Sequence, residues 1–289
     1  MADFESINGI AAANIESING TAKSAVANVG GITTPSSGPT ASDSLVHWWK
    51  MDEGSTTSAT DYGSAVATGT ALTMSGVTAV SGSGPSALSS PNHVSTDGVN
   101  DTIQTRASNG ATKTSIGELF ENDVAKSIAL WIKVPANQAT YDTLFNVSNS
   151  INRTEGTGLF FGNYGQDALW FWWDGWNASG TYDYSALRHP EDVDTGWSHL
   201  VFTYPTAGTV KIYLNGALDF TFGTKDPVNT TLGTIPSWNN VYLAFGCIQR
   251  TAGGADNPRN FGEGSYSDIR LYNKELSLAE VAAIHAGDW

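Results

Sequence analysis

From Leu45 onward the chain is cut into short apolar runs bounded by turn residues, and this constrains its fold more than any other feature. LVHWWKM, KSIALWIKV, TLFNV, ALWFWW, WSHLVFTY, TVKIYL, ALDFTF, VYLAFG and SDIRLYN follow one another, and each has the length of a strand. Asn215-Gly216, between TVKIYL and ALDFTF, is the strongest short hairpin signal, because a type I′ turn needs positive φ at both central positions. The 31 glycines, the 10 tryptophans and the many Ser, Thr and Asn fit short strands joined by turns around an aromatic-rich core or binding face. That is the composition of a β-sandwich. One helix is predicted: Ser277 as N-cap and Glu280 three residues on form a capping box, and LAEVAAIHA runs from there to Gly287.

With 289 residues the chain can hold one large all-β domain or two average ones. Its 14 Lys and Arg stand against 28 Asp and Glu, a formal charge of -14, and such a surface repels phosphate backbones, so nucleic acid is excluded as a partner. The single Cys247 rules out an internal disulfide and any Cys/His metal cluster. The start carries Asp3 and Glu5 where an export signal has a basic region and an apolar run, and no later run is long enough to span a bilayer. The expectation is a protein made in soluble form, without membrane insertion.

Three zones follow. Residues 1–29 form an arm in which FESING (Phe4 to Gly9) returns as IESING (Ile15 to Gly20) eleven residues later. Residues 30–44, GGITTPSSGPTASDS, are a Gly/Pro/Ser/Thr linker. Residues 45–289 are the folded domain. Eleven residues is close to three helical turns, so a continuous helix would keep both copies on one face. Asn8-Gly9 and Asn19-Gly20 argue instead for two short units that each end in a turn. Phe4 with Ile7, and Ile15 with Ile18, would then be apolar anchors too few to make a core of their own, which would dock on a partner.

The domain resembles the laminin G-like, concanavalin A-like jelly roll family. The resemblance is carried by LVHWWKMDEG with Asp61-Tyr62-Gly63, STDGVNDTIQT, SIALWIKV, WSHLVFTY leading into VKIYLNGAL, and SDIRLYNKELSLAEVAAI, in that order across residues 45–289. It implies an all-β fold of two antiparallel sheets, six or seven strands each, packed face to face as a sandwich. The first and last strands of the domain would pair in one sheet, with the short C-terminal helix and the extended arm appended.

This fold serves enzymes, lectins and structural modules alike, so function must come from residues. Glucanases with such a jelly roll carry Glu-x-Asp-x-x-Glu on one strand, and no such phrase occurs in this chain. The cluster Glu191-Asp192-Val193-Asp194 reads as a solvated loop, and His47 and His199, inside apolar strands, as core or sheet-face residues. No enzyme is expected.

For binding, ALWFWWDGWN is the richest stretch. Asp174-Gly175 suits a two-residue hairpin turn, which would set Trp176 across from Trp173, with Trp170 and Trp172 on one face and Phe171 and Trp173 on the other. Trp173 and Trp176, with Tyr182 and Tyr184, are the candidate platform for sugar rings; the alternative is that both faces are covered. The resemblance also implies calcium held in loops. Asp97, Asn100 and Asp101 of DGVND offer oxygens at short spacing, with a simple Asx turn as the alternative.

The arm, the linker and the jelly roll together resemble virion structural proteins of tailed bacteriophages. That resemblance implies capsid decoration: anchoring through the arm to a major capsid or other virion protein, homo-oligomeric display on the virion surface after synthesis in the host cytoplasm, and a domain that presents itself to glycans. A tail fibre or receptor-binding protein is the second reading, and a free lectin the third.

Overall fold

The computed structural model describes residues 44–64, 71–106, 125–135, 143–148, 158–163, 169–176, 182–188, 196–205, 211–221, 242–247, 251–252, 255–256 and 260–287, and six dipeptides of the arm.

Those dipeptides show that the arm repeats three times. Strands β1 (Ser6–Ile7) and β2 (Ile10–Ala11) pair, as do β3 (Ser17–Ile18) and β4 (Thr21–Ala22), and β5 (Asn28–Val29) and β6 (Ile32–Thr33). Each pair starts eleven residues after the one before. The paired strands are separated in sequence by Asn8-Gly9, Asn19-Gly20 and Gly30-Gly31, the dipeptides that best tolerate two successive positive φ angles. The repeat is thus extended and not helical. The third copy, VANVGGIT, has lost the FESING letters but kept the Gly, and the boundary drawn at 29/30 runs through its middle. Ile7 and Ile18 hold equivalent register positions, opposite Ile10 and Thr21, while Phe4 and Ile15 lie outside the described residues.

In the domain, chain order runs β7 (Leu45–Trp49), β8 (Ser58–Ala59), β9 (Leu72–Ser75), β10 (Thr78–Val80), β11 (His93–Asp97), β12 (Thr102–Arg106), β13 (Lys126–Lys133) and β14 (Thr143–Ser148). It continues with β15 (Gly158–Asn163), β16 (Leu169–Trp176), β17 (Tyr182–Arg188), β18 (Trp197–Tyr204), β19 (Lys211–Leu214), β20 (Ala217–Thr221) and β21 (Tyr242–Phe245). The small pair β22 (Thr251–Ala252) and β23 (Ala255–Asp256), then β24 (Glu263–Tyr272) and the helix α1 (Leu278–Ala286), complete it.

Two antiparallel sheets result, of eight strands each where six or seven were expected. The first has the order β10-β11-β24-β13-β18-β19-β20, with β7 also on β24; the second has the order β17-β16-β15-β14-β21-β12-β9-β8. The extra strands come from short or polar segments, such as Ser58–Ala59 and Thr78–Val80, which carry too few apolar residues to announce themselves. The expected pairing of first and last strands is present: Trp49, Trp48 and His47 of β7 face Ile269, Arg270 and Leu271 of β24.

The core lies between the sheets. Period-two alternation sends Ile128, Leu130 and Ile132 of β13 and Leu200, Phe202 and Tyr204 of β18 inward, against Leu72, Met74, Ile103, Phe145 and Phe245 of the second sheet. The alternate positions Ala129 and Val201, with Tyr213 and Tyr272, meet Leu276, Val281 and Ile284 of the α1 segment. Both faces of β13 are therefore covered, which explains its unbroken apolar run. The α1 capping box forms as read: Ser277 Oγ accepts from Glu280 N–H, Ser277 N–H donates to Glu280 Oε2 at 2.8 Å, and Gly287 closes the helix at φ 79°. Asn215 (φ 49°) and Gly216 (φ 82°) make the predicted hairpin turn.

The Asp61-Tyr62-Gly63 phrase clamps a loop to β7. Asp61 accepts hydrogen bonds from Trp48 N–H (3.0 Å) and Gly63 N–H (2.9 Å), and its Oδ2 lies 2.6 Å from His47 Nδ1. Burial pushes the Asp61 pKa up, but the His47 and backbone bonds outweigh it and leave the pKa below the usual value. A Cβ on Gly63 would stand 2.1 Å from Val46 O, so only glycine fits this approach. Cys247 is fully buried, which pushes its thiol up to about 12 and leaves it unreactive.

Under α1, Trp131, His199 and His285 stack with ring centroids 5.1 to 5.5 Å apart. His199 is 0% exposed; burial, then the nearby His285 and Arg270, lower its pKa to about 3. A free histidine titrates near 6.5, so the unfolded chain binds a proton in acid that the native one refuses. Stability is then complete above pH 6.5 and falls as the pH drops below it, by about 2 kcal/mol from His199 alone on reaching about pH 5. His93 and His285, also lowered by burial, act in the same direction. Urea unfolding should show a lower midpoint at pH 5 than at pH 7, and a shallower pH slope in His199→Phe. An unchanged slope in that variant would mean that His199 is not held neutral.

Candidate functional site

Strand register assigns every position of the second sheet to one of its two faces. Met74, Ile103, Phe245, Phe145, Phe161, Phe171 and Leu187 form one cross-strand row over seven strands. Its first four members belong to the core, so this row marks the inner face. Two positions along lies Leu243, Val147, Leu159, Trp173 and Ser185, again with a core residue, Leu243. Trp173 therefore occupies a core-side position.

The intervening rows belong to the outer face. One runs Gln104, Ala244, Asn146, Phe160, Trp172 and Ala186; the next runs Arg106, Tyr242, Ser148, Gly158, Asp174 and Tyr184. Trp176 opposite Tyr182, and Trp170 opposite Arg188, extend the face at its two ends. At the centre the outer face is closed, with Asn146 5% and Ala244 0% exposed. The aromatic positions gather at the β15–β17 end of the sheet.

The proposed hairpin turn at Asp174-Gly175 is overturned. Both residues continue β16, Asp174 between Gly158 and Tyr184, and Gly175 opposite Asp183. A ladder on each side holds the backbone extended, and a polar turn dipeptide yields when both its edges are already paired. The cross-strand partner of Trp176 is consequently Tyr182 and not Trp173. Of the four candidate sugar-binding residues, Trp176, Tyr182 and Tyr184 share the outer face and Trp173 is separated from them. The split of Trp170 and Trp172 from Phe171 and Trp173 stands. Phe160, Gln104, Arg106 and Tyr242 join the face unannounced, because their neighbours come from distant stretches of sequence.

The DGVND stretch crosses from β11 in the first sheet to β12 in the second. Asp97 Oδ1 accepts from Val99 N–H and Asp101 Oδ2 from Asp97 N–H, both at 2.8 Å, with Gly98 at φ 73°. This is the Asx-turn alternative. Asp101 is buried against Gly76, and its pKa is raised by that burial and by Asp97, while Asp97 and Asn100 point to solvent. The three candidates for calcium thus face different surroundings. Among the described residues no group of three or more His, Cys, Asp or Glu is placed to hold a metal. Nor, among them, is any helix long and apolar enough to cross a membrane. The Glu191 to Asp194 cluster lies outside the described residues.

The sandwich has solved counterparts. Domain 4 of AbnA, a GH43 extracellular arabinanase from Geobacillus stearothermophilus, in complex with arabinotriose, is 20% identical with a TM-score of 0.53; the match covers 84% of this chain and 98% of that one. The binding domain of Paraclostridial Mosquitocidal Protein 1 is 16% identical (TM-score 0.55, 85% and 52% covered), and the receptor binding domain of botulinum neurotoxin D is 15% identical (TM-score 0.51, 86% and 53% covered). The chain spans about half the length of these two toxin domains. At such identities the likeness is one of fold. No curated protein sequence matches the chain. The Laminin G family profile described as the concanavalin A-like lectin/glucanases superfamily matches residues 97–282, well over half of the sequence, and together with the paired eight-stranded sheets this makes the chain a member of that superfamily.

Proposed function

We propose that the protein is a non-enzymatic carbohydrate-binding module that grips glycans with the outer face of its second sheet. One observation carries the reading: cross-strand register collects Trp170, Trp172, Trp176, Tyr182 and Tyr184 on a single face, beside Gln104, Arg106 and Asp174. Flat rings pack against the CH faces of sugars, and the amide, guanidinium and carboxylate groups pair with hydroxyls. The structural relatives lend support. The arabinanase domain is in complex with arabinotriose, and a botulinum neurotoxin D ligand binding domain is in complex with N-acetylneuraminic acid. The lack of a Glu-x-Asp-x-x-Glu strand supports binding without hydrolysis.

The arm supports a finer reading, that of a tailed-phage virion protein. Three equal hairpins ahead of a Gly/Pro/Ser/Thr stretch suit attachment to a partner surface that repeats, such as a capsid, with several copies of the domain displayed outward as a decoration protein. Use of the same outer face in a tail fibre or receptor-binding protein is the alternative. The arm hairpins pair only two residues per strand, and two-stranded units of this size are marginal in water, so each needs the partner to hold it.

Register separates binding residues from packing residues. Trp172→Ala and Trp176→Ala should each weaken binding to arabino-oligosaccharides or sialylated glycans about fivefold, on the order of 1 kcal/mol per ring, with the melting temperature unchanged. Trp173→Ala should instead cost about 3 to 5 kcal/mol of stability. Calorimetric titration and thermal unfolding of the three variants decide it. If Trp173→Ala alone lost binding at full stability, the face assignment would be reversed.

Removing residues 1–40 should leave a folded, monodisperse domain that no longer joins the particle. Deleting one eleven-residue repeat should lower occupancy roughly tenfold or more through lost avidity. Full incorporation of the truncated domain would locate the anchor in the jelly roll.

A further inference from the structure

On the other sheet, beside the junction of β7 and β24, lies a groove of about 360 Å³, lined by Trp48, Lys50, Asp52, Ser90, Ser267 and Asp268 among others. It is small for a ligand pocket, near the lower end of the roughly 300 to 1,000 Å³ range. Its floor holds an anomaly. Ser267 is 1% exposed, and its hydroxyl has no hydrogen-bond partner in the protein. Directly opposite on β13, the buried Trp131 indole N–H also lacks an acceptor. Buried polar groups without partners are costly, and two adjacent ones leave hydrogen-bonding capacity that a group from outside the protein can take up.

The walls are held rigidly. The Trp48 indole N–H donates to Asp268 Oδ1 at 2.7 Å, and the same carboxylate receives the Arg270 guanidinium at 2.9 and 3.0 Å. Lys50 Nζ sits 4.6 Å from the Trp48 ring and 4.4 Å from the Tyr62 ring. Asp268 in the lining adopts left-handed backbone at φ 49°, as does the core residue Met51 (φ 63°) between Lys50 and Asp52, and such strain gathers at ligand sites. The charged groups of the lining are Lys50, Asp52 and Asp268, and Asp268 is already paired with the buried Arg270, so little net charge is left to draw in an anion or a cation. Carboxylates accept, the ammonium donates, and the hydroxyls of Ser90 and Ser267 do both. A neutral ligand rich in hydroxyls answers all of them.

We propose that this groove is a second binding site, separate from the aromatic face of the other sheet, which takes a neutral polyhydroxylated ring such as a single sugar residue and hydrogen-bonds it to Ser267 Oγ. The test uses the full chain, ¹⁵N-labelled, titrated with the methyl glycosides of glucose, galactose, mannose and arabinose. At least one should shift the Ser267 and Asp268 amides and the Trp48 indole signal. Ser267→Ala should weaken that binding about tenfold, or 1.4 kcal/mol, without lowering the melting temperature, because the hydroxyl it removes has no protein partner. Trp172→Ala should leave the shifts in place. If no probe moves Ser267, Asp268 or Trp48, the proposal fails whatever happens at the aromatic face. It fails equally if Ser267→Ala lowers the melting temperature and leaves affinity unchanged, since the hydroxyl would then be structural.

Discussion

The jelly roll depends on what one strand can do with two edges. β24 pairs with β13 on one side along Ser265 to Tyr272, and on the other side it serves two strands in turn, β11 along Glu263 to Tyr266 and β7 along Ile269 to Tyr272. Because the last strand of the domain seats its first, the sheet closes only when both ends of the domain are in place. Partners cannot change along an edge without a break in the ladder. The break is a bulge, where the register against β13 shifts, Asp268 turns to φ 49°, and its N–H finds Lys50 O at 3.0 Å. Left-handed backbone at a non-glycine residue costs on the order of 1 kcal/mol or more. Here the Trp48 and Arg270 bonds to the Asp268 carboxylate hold it.

That junction also decides where the molecule keeps its polar interior. The inner layer between the sheets is apolar and tightly interlocked, from Trp49 through Phe202 to Phe245. The outer layer beneath α1 is mixed: Val281 and Ile284 pack on Tyr213 and Tyr272, yet the Trp131, His199 and His285 rings close by leave four ring nitrogens without partners. A small helix covers part of a sheet whose outward residues must otherwise meet water, and the edge of that cover is where groove and unpartnered groups coincide. The second sheet is built differently. By register its inner rows of Phe and Leu positions run on to β17, while its outer rows alternate rings with amide, hydroxyl and charged positions.

Much of this was legible in the sequence because it is local. The Ser277 capping box, the Asn215-Gly216 turn, the strand runs of β13 and β18 and the family phrases each depend on residues a few places apart, and chemistry at that range is dictated by the letters. The eleven-residue period was legible too, but its third copy was not, since Val29 and Gly30-Gly31 preserve the hairpin while changing the phrase. The Asp174-Gly175 turn failed for the opposite reason: the dipeptide favours a turn locally, and two flanking ladders overrule it.

What the sequence determined by itself was the class of object: an acidic all-β sandwich with a repeating arm, rich in tryptophan and without the paired carboxylates of a glucanase. What only the tertiary structure decided was company. A strand's side chains alternate between faces, so Trp172 and Trp173 are adjacent in the chain and belong to opposite surfaces, and which surface is the core is settled by Leu243 and Phe245, some seventy residues away. The groove has the same origin. Trp48 and Asp268 are 220 positions apart, and nothing in either neighbourhood foretells their 2.7 Å hydrogen bond, because it exists only where the first strand of the domain lies against the last.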